Sequence, residues 1–142
     1  MATAKTTVSN GTQDIGKLIL RVTLGVLILL HGIMKVTNGP TSVIGLLSKM
    51  GLPPALAYLV YVGEVIAPLL VIFGIWTRAA AAVIAINMLV AVLLAHTNQI
   101  FTLTKAGGWG VELQGMYFFS ALAVALLGAG RYGIGGSSGR WN

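Results

Sequence analysis

The stretch 61-YVGEVIAPLLVIFGIW-76 decides the fold. It belongs to a longer run, Pro54 to Trp76, whose single charged residue is Glu64. A bilayer-crossing helix takes about 20 mostly apolar residues, and this run meets that requirement. Glu64 then lies well inside the span. Pro68, four residues further on, has no N–H to give to the Glu64 carbonyl. Side chain and backbone therefore present polar groups at one depth. That is costly in an apolar setting unless other groups answer them.

The rest of the chain agrees with a membrane setting. Of 142 residues, 56% are hydrophobic and 8% charged, against about 25% charged in a typical soluble domain. Mean hydropathy is +0.90. A soluble core of this length has no room for so much apolar surface. There is no cysteine, which excludes disulfides, thiolate metal sites and CxxC redox chemistry within the chain. Nine Lys/Arg stand against three acids and give a net charge of +6. The basic residues are scattered singly, which speaks against nucleic acid and for contact with anionic lipid headgroups.

Working outward from the opening stretch, four segments read as spans: about 15–36, 54–76, 78–97 and 109–130. The expected fold is all-α, an integral membrane four-helix antiparallel bundle over 15–132. Residues 1–14 are polar and read as a disordered N-terminus, with Asp14 as N-cap of the first helix. No A-x-A-type cleavage site follows the first apolar run, which reads as a retained helix. Residues 41–50 read as a short interfacial helix whose apolar face is Val43, Ile44, Leu46, Leu47 and Met50. Residues 133–142 read as a flexible tail. Lys5, Lys17, Arg21, Arg78, Arg131 and Arg140 fall on the side of the termini, and Lys35, Lys49 and Lys105 on the other. The positive-inside rule then expects both termini in the cytoplasm.

At about 1.5 Å per residue, Glu64 comes out about 15 Å below the outer membrane edge and Arg21 about 21 Å below it. These are the only opposite charges expected to meet near the midplane, so Arg21–Glu64 is the expected buried ion pair. Arg21, His31 and Lys35 fall within an arc of about 80° on the first helix, a polar stripe that faces the bundle interior. Gly25 and Gly32 lie along it and permit close packing. A second polar group gathers at the outer face. It comprises His31, Lys35, His96 and Glu112; the candidates for binding quinone or protons are His31, Lys35, Tyr61 and Glu112, with His96, Gln114 and, from the side of the termini, Arg78 as secondary candidates. Histidine there fits proton exchange near neutral pH, or an interfacial polar contact. Glu112 also suits the positive end of the fourth helix. Asn87 reads as interhelical glue or a contact to another subunit. No metal site is expected, because no ligand spacing such as HExxH occurs.

An Arg early in the first span, then HGIMK, GEVIAPLLVIFGIWTRAAA and ELQGMYFFSALAVALLGAGRYG, in that order on four spans, resembles the DoxX family. The matched positions are Arg21, His31, Gly32, Lys35, Glu64, Gly74, Arg78 and Glu112. The chain departs from the family pattern after GRY, where Gly-Ile-Gly replaces Ser, an aliphatic residue and Asp. The family is bacterial and archaeal, and it is similar to DoxD, a membrane subunit of an archaeal thiosulfate:quinone oxidoreductase. The resemblance implies a small subunit of a respiratory-type oxidoreductase in the bacterial cytoplasmic (inner) membrane, with quinone bound in or against the bundle. The partner would be a larger membrane complex or further copies of the chain. The alternative is a non-catalytic structural or assembly subunit of such a complex.

Overall fold

The computed structural model describes residues 7–136 and 139–142. Five α-helices carry the fold: α1 Thr7–Asn38, α2 Thr41–Lys49, α3 Ala67–Phe73, α4 Thr77–Ala95 and α5 Glu112–Leu127. A 3-10 segment, Pro54–Leu59, and a π-helical segment, Val62–Ile66, precede α3, and together these make one continuous helix, Pro54–Phe73. Among the described residues there is no strand, only one isolated bridge between Leu103 and Trp109. Three helical stretches, Gly11–Asn38, Pro54–Phe73 and Thr77–Ala95, are long and apolar enough to cross a membrane. The fourth, α5, is apolar but has 16 residues, about 24 Å at helical rise. It starts at Glu112 because residues 97–111 are spent on turns, so Trp109 lies outside the helix.

α1 packs on α3, α3 on α4, α4 on α5, and α5 back on α1. The core inside this ring is Leu24, Ile28, Val71, Ile84 and Val124, with Ala67, Ala80, Ala81, Ala85 and Ala121 between them. The alanines let helices approach closely where lipid supplies no hydrophobic drive to pack. The outside is apolar too: Ile86 is 61% and Leu126 78% exposed, the surface of a bundle solvated by acyl chains.

Several boundaries differ from the sequence expectation. Residues 1–6 lie outside the described part, but 7–14 are helical and extend α1. Asp14 is therefore interior to the helix and pairs with Lys17 at 3.6 Å, one turn on, in place of capping. The tail also is ordered beyond expectation where described. Ile134 and Gly135 donate to the carbonyls of Phe73 and Gly74 at 3.0 Å each, and Asn142 is 6% exposed. Its side-chain oxygen accepts from the Thr77 hydroxyl at 3.0 Å. The end of α3 has orphan carbonyls, and the tail supplies donors for them. The hairpin between α3 and α4 is tight, turning in Gly74, Ile75 and Trp76. Gly74 has φ 71° and Trp76 φ 46°, and Ile75 N–H reaches back to the Leu70 carbonyl at 2.9 Å, a Schellman closure. α2 forms as expected and buries Leu47.

Candidate functional site: a polar cavity at the Lys35 end

The π-helical segment positions the site. Pro68 cannot donate to Glu64, and the widened turn before it accommodates the loss, with Ala67 N–H bonded to the Val62 carbonyl five residues back. The freed Glu64 carbonyl faces Gly32 of α1. A methyl group at Gly32 would lie 2.7 Å from the carbonyl carbon and nearer still to its oxygen, so only glycine fits there. On the other side, a methyl at Gly63 would lie 2.5 Å from Asn87 Cγ. Asn87 is thus packed against the π-helical segment itself, and its Nδ2 has no hydrogen-bond partner.

This register overturns the expected Arg21–Glu64 pair. Gly32 lies at the level of Glu64, whereas Arg21, three turns away and about 16 Å along α1, lies at the level of Val71 and Gly74. Arg21 is 1% exposed. It donates to the carbonyls of Val71 at 2.9 Å and Tyr132 at 2.8 Å, and also to Ile72. Its partners are the last carbonyls of α3, where the helix dipole favours a cation, and the first turn of the tail. Glu64 pairs instead with Lys35. The depth reckoning failed because it began a regular α-helix at Pro54. The first turns, Pro54–Leu59, pack beside α2 and are not part of the four-helix ring, so the crossing segment begins later and Glu64 sits nearer the Lys35 end than a count from Pro54 placed it.

Beside the Lys35–Glu64 pair is a cavity of about 190 Å³. Ile28, His31 and Lys35 come from α1, Glu64 from the π-helical segment, Met88, Ala91 and His96 from α4 and its C-cap, and Leu113, Gln114 and Tyr117 from α5. One part of the wall is apolar and the other carries ring nitrogens, an amide, a phenol and the ion pair. Glu64 is 5% exposed, and the Lys35 side chain 27%. His31 Nδ1 lies 2.9 Å from the Leu27 carbonyl oxygen, and its ring meets Tyr117 edge to face at 5.9 Å. The Gln114 amide nitrogen is 3.1 Å from His96 Nε2, and His96 Nδ1 is 3.3 Å from Gln99 Oε1.

Of the residues singled out from sequence, His31, Lys35, His96, Gln114 and Glu64 converge here. Besides Arg21, three do not line the cavity. The Tyr61 hydroxyl donates to the Lys35 carbonyl at 2.9 Å and steadies the last turn of α1. Glu112 is exposed, with its carboxylate against Gly108, at the positive end of α5. Arg78 is at the opposite end of the bundle, where its Nε donates to the Asn142 carbonyl at 3.1 Å. Sequence reading missed Tyr117. Its signal is the spacing from Gln114, three residues, which puts both on one helical face. Among the described residues no group of three His, Cys, Asp or Glu is placed to hold a metal ion.

The molecule is thus an integral membrane helical bundle with a partly open cavity at one end, lined by both apolar and polar side chains. It belongs to the DoxX family, whose model matches residues 16–97. A Bacillus subtilis (strain 168) protein named "Putative oxidoreductase CatD" is 33% identical over 92 residues, covering 65% of this chain and 68% of that protein. No solved structure matches the chain. The family match ends before α5, so Gln114 and Tyr117 complete the cavity from outside the matched segment.

Proposed function

We propose that the protein is a small membrane subunit of an oxidoreductase and that a quinone-type ring binds in the cavity at the Lys35 end. The observation that carries this reading is the cavity's divided wall. Ile28, Met88 and Leu113 offer an apolar bed, while His31, Gln114, Tyr117 and the Lys35–Glu64 pair offer hydrogen bonds. A dry cavity of about 150 Å³ is enough for benzene, so about 190 Å³ suits a single substituted ring. The name of the Bacillus subtilis relative supports the oxidoreductase class. The chain has no thiol, so electrons would be exchanged through a partner protein of a larger complex. In this reading the membrane is the bacterial cytoplasmic one, both termini are cytoplasmic, and the cavity lies toward the outer face.

Two measurements test this. Natively purified protein should yield quinone on lipid extraction, and a short-chain benzoquinone should bind the detergent-solubilised chain. Co-purification of a large complex with neither signal would favour the non-catalytic alternative, which has support of its own: Arg21 is held by three backbone carbonyls and Glu64 by Lys35. For orientation, Thr3→Cys should resist an impermeant thiol reagent in intact cells, and Lys105→Cys should react. The reverse labelling would invert the topology.

A further inference from the structure

The hydrogen bonds around the cavity define what kind of oxygen it accepts. A backbone carbonyl can only accept, so the Leu27 contact at 2.9 Å puts a proton on His31 Nδ1. In the neutral ring, Nε2 is then a bare acceptor on the edge turned away from the α1 backbone. His96 has the same tautomer, with Nδ1–H toward Gln99 and Nε2 accepting from Gln114, but its Nε2 is already engaged. Lys35 stands one turn from His31 on α1, donates one hydrogen to Glu64, and retains two more donors. The cavity wall therefore offers an acceptor and a donor one helical turn apart on α1.

An oxygen that meets both must donate to His31 Nε2 and accept from Lys35 Nζ. A hydroxyl oxygen does both. A ketone oxygen only accepts, and against Nε2 it brings lone pair to lone pair. We infer that the cavity selects the reduced, hydroxyl-bearing form of its ring ligand, a 1,4-dihydroxybenzene (quinol), over the corresponding quinone, an inference that rests on the reading of this cavity as a quinone site. His31 is the residue that distinguishes the two redox forms, and Tyr117, whose hydroxyl serves as donor or acceptor, does not.

The test is calorimetric titration of the full-length protein in detergent with a short-chain benzoquinone and, under anaerobic conditions, with the same compound reduced. One net hydrogen bond gained predicts that the quinol binds on the order of fivefold more tightly. His31→Phe keeps an aromatic edge against Tyr117 but has no acceptor. It should bring the two affinities to within about twofold by weakening the quinol alone. His31→Gln, whose amide oxygen can accept, should keep part of the preference. Should His31→Phe fail to fold, the wild-type ratio and His31→Gln still decide. Equal or tighter binding of the quinone by the wild type overturns the inference while leaving the quinone site in place. An equal loss of both forms in His31→Phe also overturns it, because that marks a merely structural role. Binding of neither form by the wild type removes the quinone site as well.

Discussion

Arg21 and Glu64 are the two charged side chains buried deepest among the described residues, and they are answered in different ways. Arg21 is surrounded by main chain. Its partners are the final carbonyls of α3 and the Tyr132 carbonyl of the tail, Gly74 packs against its guanidinium, and it lies away from the cavity. Glu64 is met by a side chain, Lys35, and the pair forms part of the cavity wall. The contrast separates scaffold from site. A guanidinium whose two terminal nitrogens are bound by fixed backbone acceptors locks three segments together, and its one unpartnered nitrogen, Nε, is buried away from the cavity. An ammonium–carboxylate pair at a cavity keeps spare donors and acceptors. Buried charge in a membrane helix is thus not in itself a site; what matters is whether it faces a cavity.

The largest effect that would break this comparison is at the scaffold end. Arg21→Met leaves the Val71, Ile72 and Tyr132 carbonyls without that donor, and hydrogen bonds to charged groups contribute about 1.5–3 kcal/mol each. We expect a loss of at least about 3 kcal/mol in detergent unfolding, with the ring-ligand affinity of the surviving folded fraction unchanged. A stable Arg21→Met protein would contradict the scaffold role.

A smaller loss is expected at the site end. Lys35→Met strands a carboxylate that is 5% exposed. Breaking a fully buried pair costs about 3–5 kcal/mol, and the part-exposed Lys35 reduces this to about 2 kcal/mol. Glu64→Gln should cost less, because Lys35 can turn toward water. Both should alter ligand binding, which Arg21→Met should not.

The glycines sharpen the comparison further. Gly32→Ala drives a methyl into the Glu64 carbonyl, a backbone neighbour that cannot turn aside, and should cost about 1–3 kcal/mol while disrupting the cavity. Gly45→Ala in α2 meets nothing within 4 Å. It should stabilise by about 0.5–1 kcal/mol, with no change in binding. Equal melting temperatures for the two variants would show that α1 and the π-helical segment are not in the contact described.

Much of this was legible in the sequence, and the gaps have physical causes. Hydropathy alone marks four apolar helical segments, three of which are long enough in the structure to cross a membrane, because bilayer thickness fixes span length. The α1 stripe of His31 and Lys35 is legible from its 100° periodicity, and the need for an answer to Glu64 from its isolation in Pro54–Trp76. The identity of that answer was not legible. It depends on register between two helices, and a count from Pro54 misses that Pro54–Leu59 packs beside α2 before the crossing segment begins. Tail order was also hidden, because the donors of Ile134 and Gly135 serve a helix end some sixty residues earlier in the chain, and composition carries no trace of such contacts. Tyr117 was overlooked among the apolar and aromatic residues of α5, though its spacing from Gln114 marks it.

The most direct test of the separation between scaffold and site is a pair of double-mutant cycles on unfolding free energy, one for Lys35→Met with Glu64→Gln and one for Arg21→Met with Glu64→Gln. Residues in one ion pair couple, and residues more than about 10 Å apart add to within about 0.5 kcal/mol. We expect Lys35 and Glu64 to couple by about 1 kcal/mol or more, and Arg21 and Glu64 to be additive within about 0.5 kcal/mol. Strong coupling of Arg21 to Glu64, with Lys35 and Glu64 additive, would contradict the account and restore the pair that a uniform helical rise suggests.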